Sequence, residues 1–296
     1  MTRTESTRPR RILLATDLSC RCDRALDRAI RLAAEWNAEL VAAYVVEPSK
    51  SLEYSLERSR PLFRRRPDPV DRMRWRLKRD VASAADNIRT IVEKGEAADT
   101  LLAIADREAC DLIVTGVARD EALGRIFFGG TVDRLVRRST VPVLVVRDRP
   151  VRAYRDIVVA TDFSEASLQA LSAAATLFPQ GRLTLFHAYD VPFAGLIQDR
   201  DFEAELREME KALGDKILSD ERLEPGLRAR TDVVIEHGTP ERLLADYIED
   251  KPVDLTVIGS HGRGALLDSL IGGTAMRLLE NLEGDLLLVR YLREKG

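Results

Sequence analysis

Three cysteines in 296 residues are too few for a disulfide framework. Cys20 and Cys22 fall in what reads as the first turn of a helix, without the further ligands a metal site needs, and Cys110 precedes a strand, where packing accounts for it. Histidine is equally scarce. His187, His237 and His261 are dispersed with no metal-ligand spacing, and His187 and His237 read as satisfied structural imidazoles. No metal site is expected. No apolar run approaches the roughly 18 residues of a membrane helix. Met1 to Arg11 carries charge without the apolar centre of a signal peptide, so the cytoplasm is the expected location. The chain also lacks a nucleophile elbow, a Walker lysine motif and a kinase signature. What remains, at 45% hydrophobic and 32% charged residues with a net charge of −3, is the composition of a soluble globular protein.

The chain is written twice. Arg11-Ile12-Leu13-Leu14-Ala15-Thr16-Asp17-Leu18-Ser19 returns as Asp156-Ile157-Val158-Val159-Ala160-Thr161-Asp162-Phe163-Ser164, and Phe128-Gly129-Gly130-Thr131 returns as Ile271-Gly272-Gly273-Thr274. A repeat this long is a whole domain rather than a solenoid unit. The length fits two domains, with a seam near Asp148-Arg149-Pro150 and expected bounds of 8–148 and 153–296. Residues kept in both copies serve the fold; residues intact in one copy serve a ligand.

Within each copy, strand and helix patterns alternate. The opening strand, Arg11 to Thr16 or Ile157 to Thr161, has the continuous apolar centre of a buried parallel strand. A helix follows, with apolar positions Leu26, Ala29, Ala33 and Trp36 matched by Leu171, Ala174 and Phe178; Ser19 and Ser164 stand as its caps. Second strands (Glu39 to Val46; Arg182 to Tyr189), third strands (Asn87 to Glu93; Thr231 to Glu236), helices (Ala97 to Arg107; Pro240 to Asp250) and fourth strands (Asp111 to Thr115; Asp254 to Ile258) continue the alternation. A helix from near Gly129 or Gly272 and a last strand (Val141 to Val146; Asp285 to Val289) close each copy. The expected architecture is α/β: two Rossmann-like open parallel five-stranded sheets flanked by helices. Ligands of such sheets bind beyond the carboxyl ends of the strands at the switch point.

The loop after the fourth strand of the second copy carries the chemistry. Gly259-Ser260-His261-Gly262-Arg263-Gly264 is followed by Ala265 to Ile271 and by Gly272-Gly273-Thr274 opening a helix. Glycines let backbone amides approach phosphate oxygens, and the helix adds free amides and a positive dipole end. Main-chain donors between Ile258 and Ala275, including Ser260, form the expected anion cradle. Of the loop's two candidate side chains for phosphate, Arg263 is assigned in preference to His261. Glycines also serve plain tight turns, but here they are spaced Gly-x2-Gly-x9-Gly.

That spacing, with the Thr-Asp ending the first strand, resembles the nucleotide-binding pattern of the universal stress protein family. The resemblance covers nearly the whole chain, once per copy, and implies two fused domains packed as an intramolecular pseudodimer, with a homodimer as a further assembly. It also implies ATP or a related adenine nucleotide, with or without Mg, as the bound cofactor. Gly259, Gly262 and Gly272 match the three glycines of the pattern. Gly273 stands where the family has Ser or Thr, which removes one hydroxyl donor, while Thr274 follows and the Gly273 amide remains. By the same resemblance Asp162 meets the base or ribose, with Ala160 and Thr161 alongside and Ala188 at the second-strand position. A turn or helix-start role for Asp162 stands equally, because Asp17 keeps the place in the other copy.

The copies are expected to differ. The matching first-copy loop reads Gly116-Val117-Ala118-Arg119, with Arg119 at the second glycine position. A side chain there obstructs close backbone approach, unless its guanidinium itself pairs with phosphate. Nucleotide binding is therefore placed in the second copy, with a regulatory output in the stress response. Two other functions compete: slow ATP cleavage or adenylyl transfer, although the SGGxDS and HIGH signatures are absent, and a ligand-free scaffold working through a basic stretch. That stretch, Arg58 to Arg79, holds ten basic and two acidic residues with Phe63 and Trp75 among them. RNA, anionic lipid or an acidic partner are its candidate contacts.

Overall fold

The computed structural model describes residues 9–47, 68–82, 88–120, 125–127, 130–189, 207–209, 211–212, 214–216, 218–219, 226–260 and 272–291. Two compact units divide at Val151–Arg152. The first contains β1 (Arg11–Ala15), α1 (Asp23–Trp36), β2 (Glu39–Val46), α2 (Pro69–Ala82), β3 (Ile88–Lys94), α3 (Ala97–Arg107), β4 (Leu112–Gly116), β5 (Ala118–Asp120), β6 (Arg125–Phe127), α4 (Gly130–Arg138) and β7 (Val143–Val146). The second contains β8 (Asp156–Ala160), α5 (Glu165–Leu177), β9 (Arg182–Tyr189), β10 (Thr231–His237), α6 (Pro240–Asp250), β11 (Leu255–Gly259), α7 (Gly273–Asn281) and β12 (Leu286–Val289).

Each unit orders its parallel strands alike: β3-β2-β1-β4-β7 in the first and β10-β9-β8-β11-β12 in the second. The chain moves outward from the first strand in one direction and then returns to its other side. The switch point therefore lies between β1 and β4, and between β8 and β11. Registers place Ala160 beside both Phe186 and Ile258, so the carboxyl ends of three strands converge there. The central strands are apolar throughout because helices cover both faces: Ile12, Leu13, Val159, Leu185 and Val257 are all buried.

Repeated carboxylates set the first strand of each unit. Asp111 Oδ2 accepts from the amides of Arg10 and Arg11 at 2.7 and 3.1 Å, and Asp254 Oδ2 accepts from those of Arg155 and Asp156 at 2.9 and 3.0 Å. Each carboxylate satisfies donors that the strand's own start leaves unpaired.

Several local expectations need correction. The buried stripe of α1 is Ala25, Ala29, Leu32 and Trp36, so the apolar face is rotated from the Leu26–Ala33 reading, both of which are half-buried. Ser164 does cap α5, accepting from the Ser167 amide at 3.4 Å, but Ser19 makes no side-chain cap. Cys20–Cys22 instead form a short 3-10 turn before α1. The loop after β4 is not open chain. It folds into the antiparallel pair β5–β6, with Arg119 opposite Ile126, and that pairing was not legible because three-residue strands carry no usable alternation.

Candidate functional site

The turn leaving β8 is fixed by its own side chains. Thr161 Oγ1 accepts from the Phe163 amide at 2.9 Å, and Asp162 Oδ1 accepts from the Ser164 amide at 3.1 Å. The Thr161 hydroxyl donates to Ser167 Oγ at 2.9 Å, and Ser167 donates onward to the Ser164 carbonyl at 2.8 Å. These bonds hold Phe163 at φ 60°, a left-handed conformation costly for a bulky side chain. The first unit repeats the device: Leu18 at φ 58°, its amide on Thr16 Oγ1 at 3.0 Å, and the Ser19 amide on Asp17 Oδ1 at 2.9 Å. The Thr-Asp pair thus builds the turn in both units. For Asp162 the turn role is shown.

His187 stands over this turn. Its Nδ1 lies 2.7 Å from the Thr161 carbonyl oxygen, which only accepts, so Nδ1 carries the proton. Its ring lies 4.3 Å from that of Phe163, and Tyr189 and His237 extend the aromatic run along β9 and β10. Ala188, on the opposite face of β9, is half-buried.

At the end of β11, Ile258 is buried between Ala160 and Leu288. Gly259 is required by packing: an added Cβ would stand 2.9 Å from the Ala166 carbonyl oxygen in α5. Ser260 is 1% exposed, and its Oγ accepts from the Tyr291 amide at 3.3 Å. The Ser260 carbonyl accepts from the Gly272 amide at 2.8 Å, which ties the start of α7 to the end of β11. Gly262 and Arg263, like His261, lie outside the described residues.

The amides of Gly273, Thr274 and Ala275 open α7, where a helix has no intrahelical acceptors to offer. Gly272 supplies no side-chain cap, and no acidic residue stands in the first turn. The end therefore keeps its partial positive charge. Ala275 is buried, whereas Gly273 and Thr274 are exposed. Among the described residues, a Cβ at Gly273 would meet nothing closer than Arg277 Nη1 at 3.4 Å. Arg277 had no place among the expected site residues. Its Nη2 donates to Thr274 Oγ1 at 3.1 Å while its Nε pairs with Glu241 of α6. The three-residue spacing from Thr274 to Arg277 was the available signal.

Comparison with known proteins fits this arrangement. The universal stress protein family matches residues 9–147 and again residues 153–290. The chain belongs to that family. It is 29% identical over 143 residues to universal stress protein MJ0531 of Methanocaldococcus jannaschii, covering 46% of this chain and 82% of that protein. A universal stress protein of Mycolicibacterium smegmatis is 27% identical over 218 residues, covering 69% of each chain. The crystal structure of a universal stress protein from Archaeoglobus fulgidus shares the fold at 20% identity, with a TM-score of 0.64 over 95% of this chain and 98% of that one.

The two universal stress protein units are chemically unequal at the glycine-bearing helix. α4 of the first unit carries Asp133 in its first turn, bound by Arg137 Nε at 2.8 and 3.0 Å. The second unit has Met276 and Glu280 at the matching places. The β5–β6 ladder also engages main-chain groups of the first-unit loop across the strand pair. This contrast between Asp133 and Met276 was present in the sequence but is silent until the helix start is fixed. Among the described residues no group of three or more His, Cys, Asp or Glu side chains could hold a metal ion, and no helix is long and apolar enough to cross a membrane.

Proposed function

We propose that the second unit binds ATP or a related adenine nucleotide at the carboxyl edge of its sheet, and that occupancy, rather than turnover, is the output. The observation that carries this is the start of α7: uncapped, free of acid in its first turn, and tied to β11 through Gly272 and Ser260. Oriented amides and a positive helix end fit a phosphate group. Gly262 and Arg263 complete the cradle in this reading. Adenosine then extends toward the β8 turn and Ala188, where Asp162 accepts from the base or ribose in addition to its turn bond. The nucleotide binds with or without Mg in this reading.

Turnover is not part of this reading. Phosphoryl transfer needs a positioned water besides charge neutralisation, and among the described residues the cation beside this turn, Arg277, is engaged by Glu241. The first unit serves as a structural partner, since Asp133 opposes an anion at the start of α4.

Calorimetric titration of the full chain with ATP tests the reading. One nucleotide per chain is expected, with Gly262→Arg abolishing most binding and leaving the circular dichroism spectrum unchanged. Two nucleotides per chain, or none at millimolar ATP, defeats it. Release of labelled phosphate far above background, lost in Gly262→Arg, would make the protein an enzyme instead.

A further inference from the structure

We propose that the outward face of α2 in the first unit is a docking surface for single-stranded nucleic acid. Of the chain's two tryptophans, Trp36 is buried in the core whereas Trp75 is 64% exposed. The fold does not need Trp75, because Leu77 and Val81 already hold α2 against the sheet. Arg79 lies over the Trp75 ring, its guanidinium carbon 4.8 Å from the centroid. A cation on one face leaves the ring oriented as a platform.

The charges around it have one sign in excess. α2 carries Arg72, Arg74, Arg76, Lys78 and Arg79 against Asp71 and Asp80. Arg74 pairs with Asp71, while Arg76 and Arg79 share Asp80. Arg72 and Lys78 have no carboxylate within ion-pairing distance among the described residues. Helical spacing puts Arg72, Trp75 and Arg79 on one face with Lys78 at its edge. From Arg72 to Arg79 the rise is about 10 Å, the length of a short stretch of extended single strand.

The chemistry selects among polyanions. An in-plane membrane helix needs an apolar stripe facing outward, but the apolar side of α2 is spent on the sheet and one ring alone protrudes. An acidic peptide would satisfy the cations and leave the ring without a matching surface. A duplex hides its base faces. A single strand offers phosphates to Arg72 and Lys78 and an unstacked base to Trp75 together.

Fluorescein-labelled oligouridylate added to the full chain at low salt tests this. Binding should weaken with salt at a log–log slope of about −1.4 for the two cations engaged. In a Trp36→Phe background, where Trp75 is the sole tryptophan, the oligonucleotide should quench its emission. Trp75→Ala should weaken binding about tenfold, and Lys78→Glu with Arg79→Glu should remove it, with melting temperatures showing that both variants fold. Absence of binding at low salt overturns the proposal. So does equal affinity for an RNA duplex without quenching, or tighter binding to phosphatidylserine vesicles or polyglutamate. ATP titration is indifferent to these substitutions, so failure here leaves the second-unit site standing, and the reverse.

Discussion

Gly273→Ser should tighten nucleotide binding and stabilise the fold at the same time, whereas Gly130→Ser should do only the second. Both glycines are the first residue of the equivalent helix, α7 and α4. Among the described residues, a Cβ at Gly273 meets only Arg277 Nη1 at 3.4 Å, the end of a flexible group, and a Cβ at Gly130 meets nothing within 4 Å. Neither glycine has the left-handed φ that a serine would resist. Restricting the unfolded chain therefore gives each variant about 0.4–1 kcal/mol, or roughly 1–4 °C in melting temperature for units of this size. Only at α7 does the new hydroxyl face a proposed phosphate. One hydrogen bond to a charged oxygen contributes about 1.5 kcal/mol at the low end of its range, which is about tenfold in Kd. Calorimetry with ATP and a thermal melt, run on both variants, separate the effects. Equal affinity in Gly273→Ser and the parent protein, with the melting temperature raised as expected, would show that phosphate does not sit at this helix start.

Gly259→Ala should cost about 1–3 kcal/mol in chemical denaturation, because its Cβ would press on the Ala166 carbonyl at 2.9 Å in a packed strand–helix contact; unchanged stability would refute the packing role. One thiol per chain, Cys20, should react rapidly with Ellman's reagent at pH 8, since Cys20 is exposed while burial pushes both Cys22 and Cys110 up to about 11. Fast modification of two or three thiols would contradict this. Asp17 is held below the usual carboxylate range: burial alone would raise it, but hydrogen bonds from Ser19 and the Cys22 thiol outweigh that. A lowered value in the folded state means its contribution is present above about pH 3.9 and is lost as pH falls through the folded value. The melting-temperature gap between the parent and Asp17→Ala should thus be constant from pH 7 to 5 and close only in more acid solution. A gap that closes near neutrality would assign it to another group.

Fold was the more legible level because it is written in periods. The continuous apolar runs of β1, β8 and β11 and the helical spacing of α3 and α6 announce a parallel sheet with crossover helices, and two copies announce it twice. Residue-level roles were less legible. Gly259 reads as a phosphate glycine or a tight-turn glycine, and its packing against the Ala166 carbonyl is visible only in the fold. Ser260 sits inside the most suggestive loop, yet its hydroxyl is directed to the Tyr291 amide, a contact across 31 residues that no local pattern encodes. Arg277 was invisible because its importance depends on Glu241, which α6 brings from 36 residues away.

The two copies, compared residue by residue, assign electrostatics more sharply than either does alone. Thr-Asp and the strained residue after it recur with the same bonds, so they answer to the turn. What differs is the helix start: Asp133 with Arg137 in α4, Met276 with Glu280 in α7. Met276→Asp alone isolates the acid. It gains about 0.3–1 kcal/mol from the helix dipole, which offsets a few tenths of like-charge repulsion from Glu280 one turn on and part of the cost of placing charge at a half-buried position. Fold stability should therefore change little. Phosphate would be repelled: one unit charge about 6 Å from each of two phosphate charges costs about 0.7 kcal/mol apiece in water, or about tenfold in Kd for ATP before salt screening. The loss should shrink for AMP, which carries fewer charges, and shrink again at high salt. If the variant binds ATP and AMP as the parent does, the charge at the start of α7 plays no part in recognition, and the proposed asymmetry between the units loses its physical basis.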